Sequence, residues 1–293
     1  MKKTLVLLVC AALVLCALCG FSAEEGQTDM MGNELSFVPD AKAAIVSLTP
    51  SSTEIVCALG AEANLVGVDA FSNYPESVQQ LEVVGDFSGP DVEKIVSLEP
   101  DLVLAGTTLQ QDAIDALKGL GLEVVCTEAT LFEDIVPSIE LVGLLLEREA
   151  EAAEVVKSID EAIAAAEQNA PQEEVTVYYA MSYGDMGNWT SGPGSFINAM
   201  IETAGGSCIT DDPSFPAWVE YSLEDLVAND PDVILVDSSM GSAEDIAAAN
   251  GYSGLSAVKE GRVYEITSDV FTRPGPRIAD ALHELSGILN EAA

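Results

Sequence analysis

Histidine and basic residues are almost missing from this sequence. One histidine, His283, and 11 Lys and Arg stand against 49 Asp and Glu, giving a formal net charge of −38. Nucleic-acid backbones are bound by clustered Lys and Arg, so nucleic acid is excluded as a partner. With a single histidine no multi-histidine metal centre can form, and no EF-hand pattern provides an all-carboxylate calcium site. A serine triad could run only through His283, and GxSxG is absent. GxxxxGK[ST] and a GxGxxG following a strand are also absent, which leaves nucleotide-binding loops without support. His283 sits in a helical stretch beside Leu282 and Leu285, a context that predicts a structural histidine. No catalyst, cofactor or metal is expected, and the chain is read as non-enzymatic, with an enzyme on the same framework as the alternative.

Cysteine is scarce as well. Of six, only Cys57, Cys126 and Cys208 lie beyond the N-terminal segment, far apart and with no CxxC. They are expected to be buried free thiols; a Cys57–Cys126 disulfide is the alternative. Past the N-terminus no apolar run reaches about 18 residues, so no later segment is expected to span a membrane. The N-terminus itself carries Lys2 and Lys3 and then runs apolar from Leu5 to Leu18. That is the charged start and apolar centre of a signal peptide, predicted over residues 1–22. The chain is thus expected outside the cytoplasmic membrane, either lipid-anchored through Cys19 or released by cleavage near Ser22 or Ala23. Residues 23–43 are small, polar and acidic and read as a flexible tether.

The rest of the chain is organised around a stretch that occurs twice. Asp91–Leu104 and Ser222–Leu235 each carry a Glu seven residues before a Pro-Asp, followed at once by a short apolar run. Apolar spacing predicts a short helix, Pro100 and Pro231 end it, and Leu102–Leu104 and Val233–Leu235 read as strands covered on both faces. One unit used twice predicts two α/β lobes with parallel sheets and a cleft between them. We place the lobes at 44–131 and 171–293. The intervening 132–170 is helical, ending in a helix of about 20 residues, roughly 30 Å long, that acts as a strut. Within the first lobe, Ala44–Leu48 is a strand, 53–59 a helix and Leu122–Cys126 another strand.

Ligands of open α/β sheets collect beyond the strand C-termini. Aromatic residues recur in those predicted loops: Phe71, Tyr74, Phe87, Tyr183, Trp189, Trp218, Tyr221 and Phe271. Each could present contact area to a ligand or cover a lobe core; for Trp218, in a Pro-rich loop, ligand contact is favoured. Ser51, at the end of the first strand, belongs to the same candidate set. Glu93 and Glu224 begin the two repeated helices, where the helix dipole alone could account for them. As a symmetric pair of anions they could also dock two basic pockets of a two-fold partner.

These residues carry a resemblance. Ile45–Glu54, Val66-Gly67-Val68, Tyr74-Pro75, both repeat copies, Thr190-Ser191-Gly192 and the segments Thr267–Asp269 and Pro276–Ile278 resemble the helical-backbone substrate-binding proteins of ABC importers. Members of that family carry cobalamin, ferric siderophores or haem, and the similarity is greatest to the cobalamin carriers. The resemblance implies two Rossmann-like lobes joined by one long helix with small closing motions, a corrinoid cargo, and delivery to a transmembrane permease dimer with its ATPase by a monomeric carrier. It implies that Phe71 and Phe87 are corrin contacts, that Trp218 and Asp269 are ligand-side residues of the second lobe, and that Glu93 and Glu224 dock on the permease. Gly106 departs from it, standing where cobalamin carriers have a tryptophan, and Cys208 is displaced from the place of their disulfide. A siderophore or haem is the alternative cargo. Arg273 is the positive side chain of a predicted cleft loop, with Arg277 just inside the closing helix, and Tyr74, Tyr183 and Tyr221 are the axial candidates for haem.

Overall fold

The computed structural model describes residues 27–86, 88–106 and 110–293; the leader, Cys19 and Phe87 lie outside them. The first lobe contains strand β1 (Ile45–Ser47), helix α1 (Pro50–Ala58), strands β2 (Leu65–Val68) and β3 (Glu82–Val83), and a small hairpin of β4 (Gly85–Asp86) and β5 (Gly89–Pro90). Helix α2 (Val92–Ser97), strand β6 (Leu102–Ala105), helix α3 (Gln111–Gly119) and strand β7 (Val124–Cys126) complete it. Helices α4 (Ile135–Leu145) and α5 (Glu149–Gln168) follow. The second lobe runs β8 (Val175–Ala180), β9 (Trp189–Ser191), α6 (Phe196–Thr203), β10 (Gly206–Cys208), β11 (Trp218–Glu220), α7 (Leu223–Asn229) and β12 (Val233–Asp237). It closes with α8 (Ala243–Ala248), α9 (Ser256–Lys259), β13 (Val263–Ile266), α10 (Ser268–Phe271) and α11 (Ile278–Ala292).

The two sheets repeat one arrangement. The first orders its strands β3-β2-β1-β6-β7 and the second β10-β8-β12-β13, and every pairing within them is parallel. The duplicated sequence occupies the same place in both, as α2–β6 and α7–β12. Asp91 caps α2 by accepting from Lys94 N–H, and Ser222 caps α7 by accepting from Asp225 N–H. The residues before the two prolines, Glu99 and Asp230, are left-handed, at φ 47° and 40°. Each Pro-Asp then makes the same kind of bond. Asp101 accepts the Ala44 N–H at 2.8 Å, and Asp232 accepts the Thr176 N–H and hydroxyl at 2.8 and 2.6 Å. The aspartate thus pins the start of each central strand to its parallel neighbour, a job the sequence spacing signals without revealing. β6 and β12 are buried along their whole length.

Three helices turn the lobes into one body. On α5 the buried residues are Ala152, Ile159 and Ala166, a single stripe repeating every seven residues, and the helix packs on α4 and α11. Left-handed Glu147 (φ 52°) separates α4 from α5. The two helices approach so closely at Gly143 that a Cβ there would stand 2.6 Å from Ala152 Cβ. One hydrophobic core runs from Ile45 and Ile55 through Val142 and Ile159 to Val177 and Leu282, and so crosses from lobe to lobe. Two smaller cores cover the outer faces of the sheets.

Several expectations change. Helix α1 starts at Pro50, three residues before the expected 53, because Thr49 is its cap and proline suits a first helical turn. Residues 27–37 are not a loose part of the tether. Asp29 is buried, accepts from Met31 N–H, Asn33 N–H and Cys126 N–H, and Met30 N–H donates to Cys126 O at 2.9 Å. Met30, Leu35 and Phe37 pack on the shared core, so this strap covers the outer edge of β7. Cys57, Cys126 and Cys208 are all free thiols. His283, expected to be structural, lies exposed on α11. No helix of the described residues is long and apolar enough to cross a membrane.

Candidate ligand-binding site

The strand C-termini of the first lobe are tied together by hydroxyl groups. Thr49 caps α1 and donates to Ser52 Oγ at 2.9 Å, and Ser52 in turn bonds Thr127 at 2.8 Å. A second chain runs from Ser47 through Thr53 (2.9 Å) to Ser72 (2.8 Å) and Asp69 (2.5 Å). Asp69 is buried, and burial pushes its carboxyl above the usual range against the pull of its hydrogen bonds. Gln110 accepts from Gly106 N–H at 2.8 Å and donates to Leu48 O at 3.0 Å, fastening β6 to β1 at the same end. These bonds make a rigid floor at the loop ends of β1, β2, β6 and β7.

Two cavities open on that floor. One, of about 310 Å³, is lined by Thr49, Asp69, Phe71, Asp86, Gln110 and Glu128 among others. The second, of about 400 Å³, lies between the lobes and is lined by Ser51, Phe71, Asn73, Asp269 and Arg273 among others. Pro50, Phe71 and Glu128 line both, so they form one trough with Phe71 on its wall. A Cβ at Gly106 would stand 2.8 Å from Glu128 and 2.9 Å from Thr49, both lining the first cavity. Any larger side chain there would displace residues that line that cavity.

Glu54, on α1 and 4% exposed, reaches behind the trough to the second lobe. It accepts from Arg277 through both oxygens, at 2.6 and 2.8 Å, and from Arg273 at 2.9 Å. Arg273 also donates to Asn73 and to Phe71 O and pairs with Asp269 at 2.7 Å. Asn73 closes the ring by donating to Asp269 at 2.7 Å. Burial works against the Arg277 charge, yet Glu54 and Asp269 raise its pKa on balance. Its guanidinium lies 4.4 Å from the centroid of the Tyr74 ring.

On the second lobe, β9 and β11 pair antiparallel with Trp218 opposite Ser191 and Glu220 opposite Trp189. Opposed residues share a face of a ribbon, so the two tryptophans lie diagonally on one side. Both are half-exposed, at 38% and 43%.

A family model described as Periplasmic binding protein matches residues 45–270. The chain belongs to this family. It is 35% identical over 250 residues to the ABC transporter substrate-binding lipoprotein YvrC of Bacillus subtilis, covering 83% of this chain and 78% of that protein. It is 30% identical over 251 residues to the vitamin B12-binding protein of Salmonella typhi, covering 84% and 90%. Among solved structures, the periplasmic heme binding protein HutB of Vibrio cholerae superposes with a TM-score of 0.76 at 21% identity, covering 84% and 98%, which shows the shared fold. The chain is a substrate-binding protein of an ABC importer, with the two-lobe α/β fold that the sequence resemblance implied.

The site residues expected from sequence divide within this family fold. Ser51, Phe71, Asp269 and Arg273 line the trough. Trp189 and Trp218 stand together on the ribbon, which the sequence did not indicate because three-residue strands leave no pattern. Tyr74 stacks behind the trough on Arg277 and lines neither cavity. Phe271 is a correction: at 1% exposure it belongs to the shared core, since α10 turns it inward. Tyr183 is another, packed against Tyr252 with 6.3 Å between ring centroids in the outer core of the second lobe. Tyr221 is buried too and accepts from Asn229. Of the three tyrosines considered for haem, only Tyr74 has a half-exposed ring. Glu93 and Glu224 are exposed in the first turns of α2 and α7, equivalent places on the two lobes. Sequence reasoning missed Glu54. A signal existed: a Glu followed by Ile55-Val56 in a sheltered helix requires a cationic partner, and this chain has few to offer.

Proposed function

We propose that this carrier binds a corrinoid of the cobalamin type between its lobes and hands it to a permease dimer with its ATPase. The observation that carries the reading is the trough between the lobes, with the aromatic Phe71 on its wall and the hydroxyl and amide groups of Thr49, Ser51, Asn73 and Gln110 beside it, together with the two half-exposed tryptophans paired on the second lobe. Such walls suit a large ring edged with amides, which needs stacking area and hydrogen bonds more than counter-charge. The vitamin B12-binding relative supports it. Glu93 and Glu224 are the docking anions for the permease, and Cys19 is the anchoring residue outside the membrane.

Titration of the mature protein with cyanocobalamin, read by quenching of Trp189 and Trp218, is expected to be saturable at one ligand per chain. Trp218→Ala should weaken it by about 1–3 kcal/mol, the scale of a buried aromatic contact. Absence of binding overturns the corrinoid reading and turns the search to haem and ferric siderophores.

A further inference from the structure

Charge in the trough is arranged unusually. A chain of net −38 has few cations to spend, and two of them are at its ligand site, Arg273 lining the trough and Arg277 directly behind it. Neither is available there. Arg277 gives its fork to Glu54, and Arg273 is held by Glu54, Asp269, Asn73 and the Phe71 carbonyl at 2.7–3.0 Å. Two guanidinium charges thus meet two carboxylate charges, and the group is neutral as a unit. Glu54 and Arg273 are also well buried, with side-chain exposures of 3% and 10%, so solvent screens this pairing little. No other described Lys or Arg lines either cavity. The remaining charged groups on the walls are carboxylates, Asp69, Asp86 and Glu128.

From this we infer that the cleft selects its ligand by charge, admitting neutral and cationic ligands and rejecting anionic ones, and that Glu54 is the specificity-determining residue because it withdraws both arginines from the site. The inference rests on the cleft being the ligand site, as proposed above, but not on the ligand being a corrinoid. An anionic ligand entering the trough would lose water around its charge and find no cation in return. A ligand whose charge is balanced internally, or is positive, meets no such barrier. Glu54 lines neither cavity itself. It acts by holding the two guanidinium groups and is therefore a positioning residue.

The test uses ligands that share a ring and differ in charge. In the corrin series these are cyanocobalamin, neutral overall because its phosphodiester balances the cobalt–corrin charge; aquocyanocobinamide, which lacks the phosphate and is cationic; and cobyrinic acid, whose unamidated side chains make it anionic. In the porphyrin series, haem, with two propionates, is set against a cationic iron tetrakis(N-methylpyridyl)porphyrin. Tryptophan quenching by the wild-type protein at low salt should show the anionic member of the series that binds at least tenfold weaker than its neutral or cationic partner. The gap should narrow as salt rises to about 1 M, where screening shortens to roughly 3 Å. Glu54→Gln, which keeps the shape and removes the charge, should close most of the gap by strengthening anion binding while leaving the neutral ligand within about threefold. Asp269→Asn, at a more exposed position, should likewise strengthen anion binding and serves if Glu54→Gln does not fold; because Asp269 lines the trough, it is read by the anionic ligands alone.

Failure of the corrins with retained discrimination between the porphyrins would overturn the corrinoid reading and leave the charge rule standing. Wild-type affinity for cobyrinic acid or haem equal to that of the uncharged or cationic partner would overturn the charge rule alone. Binding of no member of either series would overturn both.

Discussion

At the scale of single residues, burial decides what the reactive groups of this chain can do. Cys57 is only partly covered, yet desolvation first, and then the charges of Glu62 and Glu54, push its thiol up to about 12. Cys126, behind the docked strap, is pushed to about 11, again mainly by burial, with Asp29 adding to it. Both are therefore protonated thiols at neutral pH and poor nucleophiles. Iodoacetamide at pH 8 is expected to leave them unmodified in the folded protein over a time that fully labels the urea-unfolded chain; equal rates would refute the assignment. The sign of the stability effect follows. A folded-state pKa above the ordinary 9.0 favours the fold while the thiol stays protonated, and that contribution is lost as pH rises from 9 through about 11 and 12. The protein should thus weaken in alkali. At this scale sequence is least informative, because an aromatic at a strand end can point either way. Phe71 and Phe271 are indistinguishable as text. One faces the trough and the other the core, since Phe71 lies on an open loop while α10 coils Phe271 inward.

At the scale of elements the duplicated helix-Pro-Asp-strand was legible, and the structure explains what it is for. Both aspartates accept backbone N–H groups from the neighbouring strand, but Asp232 takes an extra bond from the Thr176 hydroxyl. Asp101→Ala should then cost about 1 kcal/mol and Asp232→Ala about 2–3 kcal/mol in urea unfolding, as expected for one and for several lost charge-assisted bonds. Equal losses would mean that the hydroxyl bond contributes nothing. The two sites lie in different sheets, so the double variant should show the sum of the single effects. The parallel lobes, the long α5 and the covered central strands were readable from apolar runs and punctuation, while the order of the strands was not. The β9–β11 ribbon was not, because pairing of two short strands 29 residues apart is set by the turn at Gly192 and the Pro216 carbonyl, not by alternation. A Cβ at Gly192 would stand 2.3 Å from that carbonyl.

For the molecule as a whole, the abundance of acid has a general and a particular side. Most of the surplus lies on the solvent faces, where like charges repel and keep copies apart. Glu93 and Glu224 differ by standing at matching points of two like lobes, which fits them to a partner with two-fold symmetry. Replacing both by Ala should leave ligand affinity unchanged and abolish stimulation of the permease-bound ATPase in proteoliposomes; undiminished stimulation would remove the docking role.

The ring around Glu54 has a consequence for motion. Two bodies joined at one point can turn about any of three axes, whereas two joined at two separated points keep a single axis, the line through both. Here α5 with its packed neighbours is one attachment and the Glu54–Arg273–Arg277 ring is the other. A movement of the lobes that left both attachments in place would be restricted to rocking about the line from strut to ring, and the core shared by the lobes opposes even that. Such rocking would alter the width of the trough while Phe71, whose carbonyl accepts from Arg273, and Ser51 keep their places beside the ring.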